Sequence, residues 1–224
     1  MILGAIGAFA AGAARADQGV NVNNGTSSIN GAATTNATRV NVYRFQITKP
    51  GGTGATVAFI REQHDLCCDR GLVQIGYYRS ADSTVDCGNS GNRVQIFVEY
   101  GTHNSTLQCD PLHDVASPAG TGDRFGLVKQ PAGGYWAAYF NGAILGPNHY
   151  TGWNLGMPLT GGEWVGTGSK GISDACYGCN GTIHWQFSTD RGSSYMEIRS
   201  ATRVTNGGTA WAIEPPPSPY RIHD

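Results

Sequence analysis

Charge is scarce in this chain. Only 14% of its 224 residues are Asp, Glu, Lys or Arg, and 16 acidic against 15 basic side chains leave a formal net charge of −1. A surface so balanced offers no field to draw nucleic acid or an anionic membrane. Long apolar runs are missing as well: the stretch Ile2 to Ala13 is too short to span a bilayer. No segment sustains a helical period between turn signals. The compact catalytic signatures are absent: no H-E-x-x-H, no G-x-S-x-G, no P-loop and no dinucleotide-binding glycine fingerprint. His64, His103, His113, His149, His184 and His223 are scattered, with no spacing that joins them to a Ser or Cys nucleophile.

What is abundant is glycine, at 33 residues, with 10 prolines and many Ser, Thr and Asn. Such a composition makes short strands joined by tight turns. Leu72-Val73-Gln74-Ile75-Gly76-Tyr77-Tyr78 and Val94-Gln95-Ile96-Phe97-Val98-Glu99-Tyr100 alternate with period two and carry β-branched and aromatic residues, the mark of strands. Further strands are expected from Val40, over Thr56 to Arg61, Arg124 to Lys129, Tyr135 to Phe140, Ala143 to Gly146, Glu163 to Gly166, Thr182 to Phe187, Tyr195 to Arg203 and Trp211 to Ile213. Asn141-Gly142 is the clearest hairpin signal, because both residues accept the positive φ of a type I′ turn. About ten strands without an internal repeat or a dividing linker predict one all-β domain, an antiparallel two-sheet β-sandwich over residues 39–213.

The ends read differently. Ala14-Arg15-Ala16 after the apolar run is an A-x-A pattern, so residues 1–16 are expected to be a signal peptide and the protein secreted. Residues 17–38 have almost no large apolar side chain and are expected to be a flexible leader. Residues 214–224 form a Pro-rich tail. Six cysteines in an exported chain argue for disulfides, and Cys87 with Cys109 is the preferred pair. Cys67, Cys68, Cys176 and Cys179 resemble a zinc ribbon, but export favours their oxidation. Asn24, Asn36, Asn104 and Asn180 lie in N-x-T sequons.

Two residues stand out for chemistry. Gln74 projects from mid-strand beside Gly76, which leaves room for something to approach. Glu163 lies in Gly161-Gly162-Glu163-Trp164-Val165-Gly166, where glycines allow close approach of backbone and ligand. Val73-Gln74-Ile75-Gly76, Phe97-Val98-Glu99-Tyr100, Trp136 to Gly142 and Gly162-Glu163-Trp164-Val165 stand in the order found in glutamic peptidases. The chain thus resembles the eqolisins and, more loosely, the neprosin domains, over roughly Val57 to Phe187. Glutamine rather than glutamate at position 74 is the eqolisin choice.

That resemblance implies a concanavalin-like jelly roll with a cleft on its concave face. It implies a secreted acid endopeptidase in which Glu163 activates water and Gln74 stabilises the tetrahedral intermediate, the two side chains sharing that water. Glu99, Tyr78, Trp153 and Tyr150 are the expected substrate-binding residues. Read for itself, Glu99 is a sheet-face carboxylate to be paired with Arg93 or Arg124. The expected partner is a polypeptide, with no metal or other cofactor and a monomeric chain. The alternative is a non-catalytic module that binds a glycan or a surface, with Tyr77, Tyr78, Trp136, Tyr139, Tyr150 and Trp153 as a stacking platform; core packing competes for those same rings.

Overall fold

The structure is a computed structural model. It describes residues 18–23, 35, 37–47, 53–63, 70–80, 87–88, 90, 93–103, 105, 107–114, 123–154, 157–167, 173–177, 186–197, 202–206, 212–214 and 220–223. Its elements are all strands. In chain order they are β1 (Gln18–Asn23), β2 (Ala37–Ile47), β3 (Thr53–Gln63), β4 (Arg70–Ser80), β5 (Gln95–His103), β6 (Gln108–Cys109), β7 (His113–Asp114), β8 (Asp123–Lys129) and β9 (Tyr135–Phe140). There follow β10 (Ala143–Tyr150), β11 (Met157–Thr167), β12 (Ser173–Tyr177), β13 (Gln186–Ser188), β14 (Met196–Glu197), β15 (Thr202–Asn206), β16 (Ala212–Glu214) and β17 (Tyr220–His223).

These strands make two antiparallel sheets. An eight-stranded sheet runs β15-β1-β11-β3-β4-β5-β6, with β7 also on β5. A nine-stranded sheet runs β10-β9-β8-β2-β12-β17-β16, with β13 on β2 and β14 on β13. The all-β sandwich expected from the sequence is therefore present.

Alternation decides which side chains lie between the sheets. Val73, Ile75 and Tyr77 of β4 share a face with Ile60 of β3 and Ile96 and Val98 of β5, all at most 1% exposed. Phe125, Leu127, Trp136 and Ala138 face them from the other sheet and are equally buried. The Tyr77 and Phe125 rings meet edge-on, with centroids 4.9 Å apart. Tyr77 carries a hydroxyl into this apolar layer, and that hydroxyl donates to Asp123 Oδ2 at 2.5 Å. A buried phenol without such an acceptor would lose its water hydrogen bonds uncompensated.

The hairpin expected at Asn141-Gly142 closes β9 onto β10, with φ of 52° and 86° at the two turn residues. Asn141 Nδ2 also donates to Asp123 Oδ1 at 3.0 Å, which ties the turn to the start of β8.

The ends depart from expectation. Part of the expected leader is β1, which pairs with β11 on one side and β15 on the other. Its Gly-Val-Asn-Val core has little to bury, but a central position lets its backbone bond on both edges. Part of the expected tail is β17, which pairs with β12 and β16. The segment after Gly146, expected to be a loop, continues β10 to Tyr150 through a register shift between Leu145 and His149. The expected signal peptide, Cys67, Cys68, Cys179 and the four sequon asparagines lie outside the described residues.

Candidate active site

The face of the eight-stranded sheet turned away from the core carries the polar residues. Register puts Arg61 of β3 opposite Gln74 of β4, and Gln74 opposite Glu99 of β5. Directly opposed residues on antiparallel strands share a face, so the three form one row across three strands. Their side chains are bonded in that order. Arg61 Nε donates to Gln74 Oε1 at 2.7 Å, and Gln74 Nε2 donates to Glu99 Oε2.

This arrangement fixes the amide. A guanidinium can only donate, so the oxygen of Gln74 must face Arg61 and its nitrogen must face the Glu99 carboxylate. The amide cannot flip without breaking both bonds. It keeps a second N–H beyond the one given to Glu99. Arg61, Gln74 and Glu99 are 9%, 3% and 6% exposed, so the row is screened from bulk water and its charge-assisted bonds are strong.

A disulfide flanks the Glu99 end of the row. Cys109 stands opposite Glu99 in register, and its sulfur is bonded to Cys87, as expected. Cys87 and Leu112 pack against Tyr78 and Phe97, which lie on the same face as Gln74. The segment after β4 is held down by its own bonds: Ser90 N donates to Ser80 Oγ at 2.7 Å, Ser80 N to Ser90 Oγ at 3.0 Å, and Tyr78 OH to Gly88 O at 2.8 Å. One carboxylate oxygen of Glu99 and the two sulfurs lie within 4.8 Å of one another. Because the sulfurs are joined, that group offers a cation one carboxylate and no thiolate.

The expected site residues divide. Gln74 and Glu99 are brought together. Glu163 lies on the same face as Gln74, since it is four residues along β11 from Leu159, the residue opposite Arg61. It is not brought to Gln74. It stands opposite Val57, which stands opposite Tyr78, four residues along β4 from Gln74. Two strand spacings of ~4.8 Å and four rises of ~3.3 Å separate the two Cα atoms by about 16 Å on a flat sheet.

Tyr78 is 0% exposed and Trp153 7%. Tyr78 tilts against Phe97, and Trp153 packs on Trp136 at 4.7 Å between centroids. Tyr77 and Trp136 are buried too, which removes them from the stacking platform of the glycan reading. Tyr150 is 50% exposed and pairs with Tyr135 at 4.9 Å, but it belongs to the edge strand of the other sheet. Arg93, expected beside Glu99, lies 3.5 Å from Asp114 instead.

Two buried polar groups were not anticipated. Glu62, next to Arg61, turns to the opposite face and is 0% exposed. Thr35 Oγ1 donates to its Oε2 at 3.0 Å, while its Oε1 has no partner among the described residues. Burial pushes this carboxyl well above the usual range, and the Thr35 bond opposes that only in part. The other is His149, 0% exposed, with Nε2 2.8 Å from Asp110 Oδ2 and Nδ1 3.2 Å from Trp136 O. Neither carried a sequence signal beyond its residue type.

The architecture is that of a concanavalin-like sandwich whose outer sheet face holds a fixed Gln–Glu pair. Comparison with solved structures finds the same fold in scytalido-glutamic peptidase bound to a transition-state analogue inhibitor. The TM-score is 0.53, with 8% identity over 92% of this chain and 96% of that one. A second structure of that peptidase, with a peptide-based transition-state analogue, gives 0.50 with 9% identity and the same coverage. A glycoside hydrolase family 16 endo-glucanase from Bacteroides ovatus gives 0.41, with 10% identity over 92% of this chain and 77% of that one. The likeness to the peptidase is one of fold. No family model matches the sequence, and no curated protein matches it.

Proposed function

We propose that this chain is a secreted acid endopeptidase of the glutamic type, with Gln74 as oxyanion donor and Glu99 as the carboxyl group that activates water. The observation that carries this reading is the Gln74 amide, locked in one orientation between Arg61 and Glu99 on the outer sheet face. A carboxylate there can take a proton from water and later give it to the leaving amine. The second N–H of Gln74 can bond the oxygen that becomes negative as water adds. One carboxyl group must serve first as base and then as acid, which favours acidic conditions. Glu163 enters as a second acidic residue on the same face, which a bound polypeptide running across β3 and β4 would reach. The disulfide is compatible with secretion, and no helix among the described residues is long and apolar enough to cross a membrane.

The test is cleavage of a denatured protein at acidic pH by the wild type and three variants. Glu99→Gln and Gln74→Ala should each lower turnover by roughly 100-fold or more, the usual range for losing a general base or an oxyanion donor. Glu163→Gln should raise KM more than it lowers kcat. A large kcat loss in Glu163→Gln with Glu99→Gln intact would return the base role to Glu163. Full activity in both Glu99→Gln and Gln74→Ala would end the peptidase reading. A glycan-binding module would then lead, on the exposed Tyr135–Tyr150 pair, and Tyr150→Ala should abolish its retention on polysaccharide.

A further inference from the structure

The nine-stranded sheet has an outer face of its own, on the far side of the sandwich from the Gln74 row. Phe125 and Leu127 of β8 point into the core, so Gly126 between them points out. Register carries that position across the sheet: Ile144 of β10, Tyr139 of β9, Gly126, Arg39 of β2, Gln186 of β13 and Glu197 of β14 stand opposite one another in turn. Ile144 and Glu197 at the two ends are exposed, and Tyr139, Arg39 and Gln186 between them are half-buried. Tyr139 and Arg39 are two strand spacings apart, ~9.6 Å, with a glycine between them. A Cβ at Gly126 would meet nothing among the described residues nearer than 3.6 Å.

Arg39 is a fixed cation in the middle of this row. Its Nε donates to Gln186 Oε1 at 2.7 Å, and its guanidinium carbon lies 3.7 Å from the centre of the Tyr195 ring. Those two contacts hold the plane of the guanidinium and take up neither of its terminal nitrogens. Among the described residues no carboxylate pairs with it. Burial pushes the guanidinium below its ordinary value; the Tyr195 phenol opposes this and the Arg124 guanidinium adds to it. Of the acids near Tyr195, Glu62 is in the core, and Asp190 is bonded to Ser188 and Ser194. A cation partly withdrawn from water beside a second cation favours the arrival of an anion.

The hydrogen-bond inventory says what kind of anion. A guanidinium only donates. The Gln186 oxygen is taken by Arg39, so what remains of that amide is its nitrogen and N–H groups. The Tyr195 phenol is held above its ordinary value, by burial first, and so stays a neutral O–H. The ligand must therefore be negatively charged and rich in acceptors. Tyr139 and Ile144 add a flat apolar border. A sugar ring bearing a carboxylate meets each demand. Its carboxylate takes the guanidinium fork, its other oxygens accept from Gln186 and Tyr195, and its C–H face lies on Tyr139. A polypeptide fits less well. Every residue of it brings a backbone N–H, and the row offers no carboxylate until Glu197 at its far end.

We propose that the row of Tyr139, Arg39 and Gln186 is a binding site for a polysaccharide that carries carboxylates, as one built of uronic acids does. It differs from the neutral Tyr135–Tyr150 pair in requiring a charge on the sugar. Because the two sheets pack back to back ~10 Å apart, the Gln74 face stays uncovered when this site is filled. None of its residues lies on the eight-stranded sheet, so it stands or falls without the peptidase reading.

The test is titration of the whole protein with polygalacturonate, alginate, neutral dextran and polyglutamate at about pH 6, where carboxylates are ionised. The wild type should bind the two acidic polysaccharides at least ~10-fold more tightly than dextran or polyglutamate, the scale of a charge-assisted hydrogen bond. Arg39→Gln should weaken that binding by a similar ~10-fold or more. Gln186→Glu is the sharper variant. It sets a carboxylate against Arg39 from within the fold, so it should abolish binding while Tm stays at or above the wild-type value. A merely structural row would lose Tm instead. No binding to either acidic polysaccharide, equal binding to dextran, or unchanged affinity in Gln186→Glu would overturn the proposal. Equal binding to polyglutamate would overturn it in favour of an acidic peptide. If Arg39→Gln does not fold, Gln186→Glu alone decides.

Discussion

Replacing Glu62 with glutamine should make the protein less sensitive to rising pH without changing its shape. Glu62 is 0% exposed, accepts one bond from Thr35 and leaves Oε1 without a partner among the described residues. Its native carboxyl is held well above the ordinary value of 4.5 by burial. The native state therefore keeps a proton that the unfolded chain gives up. The stability of the neutral form is complete below about pH 4.5 and falls by about 1.4 kcal/mol per pH unit above it, until the native carboxyl itself ionises. Glutamine keeps an oxygen for Thr35 and puts an amide nitrogen where an oxygen already lacks a partner, so its own effect is an offset constant with pH. The difference between variant and wild type should then grow as pH rises above about 4.5, by at most about 1.4 kcal/mol per unit, or ~3–6 °C in Tm for a domain this size. Paired thermal and urea unfolding at several pH values measures it. Curves that stay parallel above that pH would refute the buried, protonated state of Glu62.

Gly146→Ala should destabilise more than Gly142→Ala. Both glycines have positive φ, at +67° and +86°, but a Cβ at 146 would collide with Asp110 Oδ2, whereas none of the described residues comes within 4 Å of one at 142. The shared conformational cost is ~1–2 kcal/mol, and equal losses on denaturation would mean that Asp110 does not sit under that turn. Replacing Cys87 and Cys109 together with serine should cost about 3 kcal/mol, the entropy of closing a loop of this length. The bridged residues are 22 apart in sequence, and a loss below about 1 kcal/mol on urea titration would show that the segment after β4 is held by its other bonds.

The strands that alternate strongly were legible. Tyr135 to Phe140, Asn141-Gly142 and Leu72 to Tyr78 each combine period-two patterning with a turn residue suited to its place, and the structure has them as β9, the hairpin and part of β4. The polar strand β1 was not legible, because its place depends on the backbone edges that β11 and β15 present. The site was half legible. Gln74 could be singled out because an amide at mid-strand beside a glycine is unusual. Its partners depend on register, and register between strands joined by more than a tight turn is not written in either strand alone. Arg61 and Glu99 flank Gln74 because β3 and β5 pair with β4 at those residues and no others. The four-residue separation of Glu163 from the row follows from the same cause on β11, where Leu159 takes the position opposite Arg61.

The register also explains how one sheet can hold a polar row and a dry core back to back. Arg61 and Glu62 are adjacent in sequence and both are at most 9% exposed, yet one donates to Gln74 on the outer face and the other accepts from Thr35 on the inner one. Cys109 and Asp110 repeat the pattern at the far edge, the sulfur over Glu99 and the carboxyl on His149. At Glu62 the inner group is a carboxyl whose burial favours holding a proton, so that contact weakens as pH rises. If the outer row performs acid hydrolysis, the scaffold beneath it is most stable where that chemistry runs best.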